Sequence, residues 1–384
     1  MTHPALAPRK SRLVVVPLCV VVLLAVAWTA AWFWAASTAE ARITRWREQE
    51  ARLGRVYGCA TQTIGGYPFR IEVRCAEPGL ELRGAEPPIV ARAKEAVFVA
   101  QVYQPTLLIG EVTGPLTIAQ PDGPALLVAN WRLAQMSFRG LPSAPERISV
   151  ALDGLAVDRP VQNGSETLAT ADHLELHARI VAGTALDNPL IDLAVRFTAA
   201  AVPGASPLAA RPFDGEMTAL LRGLRDLKPK PLPVRLKEFQ GAGGQLEITK
   251  ARLQQGETIA ATTGALGLSG RGRLDGTVRI TIAGLDQFIA ANGGLEKVAP
   301  MLGLDRTTQG LGGLDRLGPV LGGLDRFAAA LGGGARERAQ LGLLGLIGEP
   351  TDLDGKRAVA LPLRFTDGRA FLGPIPLGDT RPVF

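Results

Sequence analysis

Leu174-Glu-Leu-His-Ala-Arg-Ile180 alternates apolar and polar side chains at every step, the pattern of a strand with one face buried and the other in water. The runs Arg147-Ile-Ser-Val-Ala-Leu-Asp153 and Leu246-Glu-Ile-Thr-Lys-Ala-Arg-Leu253 carry the same period-two texture, and signals of this kind dominate from Val56 to about Ile282. Gly, Pro and Asn punctuate them. Asp153-Gly154 and Asn163-Gly164 read as hairpin or loop signals, and Leu268-Ser-Gly-Arg-Gly-Arg-Leu-Asp-Gly-Thr-Val278 as a turn followed by a strand. A helical pattern interrupts only at Gly215 to Leu227. Parallel sheets need regular crossover helices, so the expected fold is mainly β: a large, curled antiparallel sheet over residues 54–283.

Beyond it the texture changes. Gly284-Leu-Asp, Gly294-Leu-Glu, Gly303-Leu-Asp-Arg, Gly313-Leu-Asp-Arg and Gly323-Leu-Asp-Arg recur every nine or ten residues. On a helix that spacing rotates equivalent leucines by about 80° per repeat, so they form no stripe, and the repeats lack the carboxylates of a calcium β-roll. A Gly-rich, partly helical insertion is expected over 284–345, with a short helix near Leu285 to Ala291. Residues 346–384 then return to strands, a pair around Ala358 to Phe365 and Ala370 to Leu372 that packs on the sheet.

Before the sheet, Leu13 to Ala36 is a run of 24 residues without a charge. As a helix it spans about 36 Å, against a hydrocarbon core of about 30 Å. A cleaved signal peptide shares the basic start, Arg9, Lys10 and Arg12 in the tail 1–12, but its apolar region is only about 7 to 15 residues, so a retained single transmembrane helix over 13–36 is expected. Trp28, Trp32, Phe33 and Trp34 gather where amphipathic rings prefer the membrane boundary. Ala39, Ile43, Trp46 and Leu53 fall roughly on one face, which reads as an amphipathic juxtamembrane helix over 37–53, continuing or bending from the anchor. Arg42, Arg45, Arg47, Arg52 and Arg55 outnumber the basic residues before the span, and charge counting alone would invert the protein. Long domains translocate largely regardless of charge, and the cysteines point to an oxidising compartment, so the C-terminal domain is expected in the periplasm of a bacterium, beyond the inner membrane.

Cys19 lies inside the span; Cys59 and Cys75 flank Gly66-Tyr67-Pro68 symmetrically. Folding about Tyr67 sets position 59 across from 75, so a disulfide is geometrically available, and two free thiols are the alternative. Closing the 15 intervening residues is worth about 3 kcal/mol in the chain-entropy treatment. Neither cysteine has a second Cys or His at ligand spacing, so no metal is expected.

Chemistry is sparse in a chain of 384 residues, 47% hydrophobic. The net charge of +6 comes from arginines scattered among acids, without the basic stripe of a nucleic-acid binder. His173 and His177 would share a face on a helix, but on the strand implied by Leu174 and Leu176 they lie about 13 Å apart and read as surface residues. Gly267-Leu-Ser-Gly270 misplaces the second glycine of a nucleophile elbow. Gly270-Arg-Gly-Arg-Leu-Asp-Gly276 misses the dinucleotide-binding spacing and lies between strands. Acids such as Glu81 and Glu86 are unremarkable. No catalytic residue and no cofactor site are expected.

Several blocks in order carry a family resemblance: Gly65-Gly66-Tyr67-Pro68-Phe69-Arg70-Ile-Glu-Val after the aromatic-ended span, Gly243-Gly-Gln-Leu-Glu-Ile, Gly264-Ala-Leu-Gly-Leu with Leu274-Asp-Gly-Thr-Val, and Asp367-Gly-Arg-Ala-Phe-Leu-Gly373-Pro374-Ile-Pro-Leu. Nearly the whole chain resembles the bacterial domain-of-unknown-function family 2125; the Leu-Asp-Arg repeats depart from it. The resemblance implies an anchored envelope protein and hands over no catalytic residue. Two non-catalytic roles are compatible with that: a scaffold engaging envelope protein partners, favoured because it assumes less, or a lipid-binding module. A lipid carrier needs a continuous apolar surface left open, whereas a scaffold buries it.

Overall fold

The computed structural model describes residues 12–141, 144–205, 208–284, 348–373, 375–380 and 382–383. The Leu-Asp-Arg repeats, the helix expected near Leu285 and Pro374 lie outside them. The described chain is mainly antiparallel β-sheet, not closed into a barrel, behind one long N-terminal helix. It forms two compact units that divide between Leu126 and Leu127, within the stretch expected as one ectodomain.

In the first unit a single helix α1 (Arg12–Arg52) runs unbroken through the apolar stretch and the amphipathic segment. Its apolar part is long enough to cross a membrane. The strands after it are short: β1 (Arg55–Gly58), β2 (Thr61–Gly65), β3 (Arg70–Ala76), β4 (Gly79–Leu82), β5 (Ile89–Arg92), β6 (Glu95–Gln101), β7 (Gln104–Thr113) and β8 (Leu116–Ala119). They pair in two ladders, β2-β3-β6-β7 and β1-β4-β5-β8. Taken in chain order this is a four-stranded meander in which every strand is broken at one level, at Cys59-Ala60, Glu77-Pro78, Ala93-Lys94 and Gly114-Pro115. Backbone bonds close that level, Ala60 N–H to Ala76 O (3.0 Å) and Glu77 N–H to Lys94 O (3.0 Å). The β2–β3 and β6–β7 turns therefore lie at one end of the meander and the β4–β5 turn at the other. At this second end Arg83 N–H meets Gly54 O (2.8 Å), just after α1 stops.

The second unit is a meander of longer strands. β9 (Ala125–Asn130) and β10 (Leu133–Arg139) lie in succession along one edge of β11 (Arg147–Val161). β12 (Gly164–Thr184), β13 (Asp187–Ala200) and β14 (Phe213–Arg222) follow, then helix α2 (Leu232–Gly241), then β15 (Gln245–Gln255), β16 (Thr258–Leu268) and β17 (Leu274–Ala283). Each strand pairs with the next. β18 (Glu349–Leu353), β19 (Lys356–Thr366), β20 (Arg369–Leu372) and β21 (Ile375–Asp379) complete it, with β19 paired directly to β17 across the repeat segment.

Two expectations are corrected here. The helical pattern at 215–227 is strand β14 up to Arg222: Met217, Ala219 and Leu221 alternate with Glu216 and Thr218, and pairing on both sides overrides helix propensity. The helix begins later, at Leu232, where Pro231 and Pro233 suit a helix start that needs no N–H partner. Asp153-Gly154 is no hairpin but lies inside β11, paired from Asp153↔His173 to Leu155↔Ala171, at the level where the neighbouring edge passes from β10 to β9. Asn163-Gly164 does close a hairpin, between Val161 and Gly164.

Candidate functional site

Two sets of residues with separate origins in the sequence meet in the first unit. The turn joining β2 and β3 carries Gly66 to Arg70, and it packs against the aromatic half of α1. Trp28 Nε1 donates to Pro68 O (3.0 Å), Trp32 Nε1 to Arg70 O (2.9 Å), and Thr29 Oγ1 and the Tyr67 hydroxyl are 2.8 Å apart. Tyr67 lies edge-on to Trp32 (5.5 Å between centroids) and stacks on Phe33 (6.5 Å), while Phe69 faces Trp28 (6.5 Å). Trp34 makes no such contact and is exposed. Gly66 is required: at φ +99° a Cβ would fall 2.8 Å from the Arg70 carbonyl, whose N–H returns to Gly66 O (3.1 Å).

Farther along, Trp46 lies on Tyr57 (4.6 Å) and Arg47 Nη2 reaches Cys59 Sγ (3.1 Å). Cys59 and Cys75 are joined in a disulfide with Cα atoms 5.5 Å apart. The expected register is off: Gln62, not Cys59, pairs with Cys75 in the β2–β3 ladder. The strand bend at Cys59-Ala60 turns the Cys59 side chain back across β3, so the bridge staples the level at which the meander bends.

The second unit is two-faced. On one face, the row Val150, Leu176, Val195, Met217, Ala251, Thr262, Ile280 and Leu361 crosses β11 to β17 and β19 in register. The flanking rows, from Leu152 to Val359 and from Ile148 to Leu363, contain only apolar residues and glycine. At about 4.8 Å per strand the surface is about 34 Å wide. Ile191, Ala219, Val278 and Leu361 on it are buried, yet Leu176 is 43% and Leu253 48% exposed. Among the described residues the fully buried cluster, Ile259, Ala283 and Ala358, belongs to the opposite face. That face otherwise alternates charge across the strands, Glu175, Arg196, Glu216 and Arg252, with Lys250 on Glu216 (2.5 Å).

His173 and His177 lie on this charged face. His173 Nδ1 meets Asp153 (2.5 Å), and Glu175 bridges to His173 (3.1 Å) and His177 (3.6 Å). Among the described residues no three His, Cys, Asp or Glu side chains are grouped to hold a metal ion. Hydrogen bonds first to Asp153 and then to Glu175 raise the His173 pKa above 6.5, and the bond from His173 lowers that of Glu175. A raised folded-state pKa makes the contribution full below pH 6.5 and removes it as pH rises through the folded value. Melting temperature should therefore fall as pH climbs from 6.5 past that value, and Asp153→Asn should flatten most of the slope; an unchanged slope in the variant would assign it to other groups.

The remaining family blocks also converge. Gln245 pairs with Gly267, Asp275 accepts from Asp367 N–H (3.0 Å), and Ser269 Oγ donates to Asp367 (2.7 Å). Asp367 and Gly368, both at positive φ (49° and 83°), form the two-residue turn between β19 and β20, and Gly373 N–H caps Pro362 O (3.0 Å). Among the described residues these blocks build turns and strand pairings.

A family model described as "Uncharacterized protein conserved in bacteria (DUF2125)" matches residues 32–381. No curated protein and no solved structure matches the chain.

Proposed function

Because the chain belongs to the bacterial family DUF2125, with the family match covering nearly its whole length, we propose for it the lipid-handling role, not the scaffold: a non-catalytic protein, anchored in the inner membrane with its sheet in the periplasm, that holds acyl chains on the apolar face of its second unit. One observation carries the reading. The uncharged rows continue across eight strands while Leu176 and Leu253 stay about half exposed, and apolar surface of that extent marks a binding face. A scaffold would bury it. At about 34 Å the face exceeds the ~15 Å that acyl chains occupy in one leaflet. A chain fastened to a bilayer by α1 meets acyl chains as its most concentrated apolar ligand. The disulfide supports the periplasmic side.

The full chain, reconstituted with a phospholipid that carries a diazirine at its acyl terminus, should after illumination yield adducts on β12 to β15. Adducts confined to α1 would overturn the proposal.

A further inference from the structure

The turn 66–70 has the chemistry of a loop that leaves water. Pro68, Phe69 and Arg70 present three successive carbonyls, and each has a donor: Trp28 Nε1 on the first (3.0 Å), Val102 N–H on the second (3.0 Å), Trp32 Nε1 on the third (2.9 Å). Gly66 O takes Arg70 N–H, and the Tyr67 hydroxyl has Thr29. A loop in water needs no such closure, because solvent satisfies its carbonyls; a loop in hydrocarbon does. The side chains point the same way. Tyr67 is 51%, Phe69 66% and Tyr103, in the adjoining β6–β7 turn, 75% exposed, so rings that gain from leaving water are held out of the protein core.

Depth along α1 agrees. The apolar run ahead of Trp28, from Leu13 to Ala27, rises only about 22 Å, short of the roughly 30 Å hydrocarbon core. The missing length lies on Trp28 to Phe33, the surface that the turn occupies. We infer that the β2–β3 turn, with Tyr103 of the β6–β7 turn beside it, inserts into the bilayer next to α1 as a second membrane contact. Its partner is the acyl and glycerol layer of the lipid. The first unit is then seated in the membrane at two elements instead of tethered by one. This rests on α1 spanning the membrane and is independent of lipid on the second unit.

The test places one bimane label at a time on full-length protein in vesicles of phosphatidylethanolamine and phosphatidylglycerol, with and without brominated acyl chains. Native Cys19 reports the span, and Cys59 and Cys75 are closed to the reagent. In a Cys19→Ala background, Phe69→Cys reports the turn and Glu86→Cys, exposed in the β4–β5 turn at the other end of the same unit, reports water; Tyr103→Cys replaces Phe69→Cys if that variant does not fold. Loss of fluorescence at the turn comparable with that at Cys19, and none at Glu86, is the expected result. Quenching at Cys19 with none at the turn overturns the inference while leaving the span intact. No quenching at Cys19 overturns the span, and the inference with it.

Discussion

Leu176→Glu and Leu253→Glu, each alone, should reduce acyl-lipid adducts on the second unit by on the order of a hundredfold, because a carboxylate set among acyl chains costs about 2.5–3.5 kcal/mol and each 1.4 kcal/mol is tenfold. Both side chains are about half exposed, so the folded protein hydrates either glutamate when lipid is absent, and the melting temperature should move little. That separation between binding and stability is what distinguishes a lipid face from a core. If the face were instead packed against protein, the same substitutions would bury a charge there, and the melting temperature would drop with no adducts to lose. Gln135→Glu, on the exposed, polar side of β10, should leave both readouts unchanged. Measuring adduct yield and melting on the same preparations decides between the two.

The two-faced sheet was legible because its cause is local. Alternation in 174–180 and 147–153 states which side chains share a face, and the register then lines up faces already written strand by strand. The hairpin at Asn163-Gly164 was legible for the same reason; the pairing of Cys59 with Cys75 was named beside two free thiols, and on a register that the β2–β3 ladder does not have. Met217, Ala219 and Leu221 in β14 failed as a strand signal because Leu220 and the following Gly223-Leu224 overlay a helical spacing, and only the ladders with β13 and β15 decide between them. Gly154 failed because a glycine that relieves a strand looks, in one dimension, like one that ends it. The meeting of Trp28, Trp32 and Phe33 with Tyr67 and Phe69 was not legible at all. Each set was singled out, the first as a membrane belt and the second as a family block, but their contact spans 34 to 41 residues in sequence and depends on how α1 lies along the meander.

Replacing Cys59 and Cys75 together by serine should destabilise the first unit by about 3 kcal/mol, the closure entropy of a loop this size. The unit has little else to lean on. Its strands are four to ten residues long, and among its described residues the buried apolar side chains apart from Trp32 are Cys75 itself and the small Val90, Ala96 and Ala119. A core that thin makes a covalent staple count. The staple sits at the common bend, where Cys59 also meets Arg47 of α1, so its loss should loosen β1 to β3 and the helix contact together. For a unit of roughly a hundred residues, ~3 kcal/mol corresponds to about 10–20 °C in melting temperature. Hydrogen exchange should show protection falling across β1 to β3 while β11 to β19 keep theirs; equal loss in both would assign the bridge a different role. The bond also reports the compartment. In intact cells a membrane-permeant maleimide should leave Cys59 and Cys75 unlabelled until reductant is added, and labelling without reductant would place the sheet on the reducing side of the membrane, removing the orientation on which the lipid reading depends.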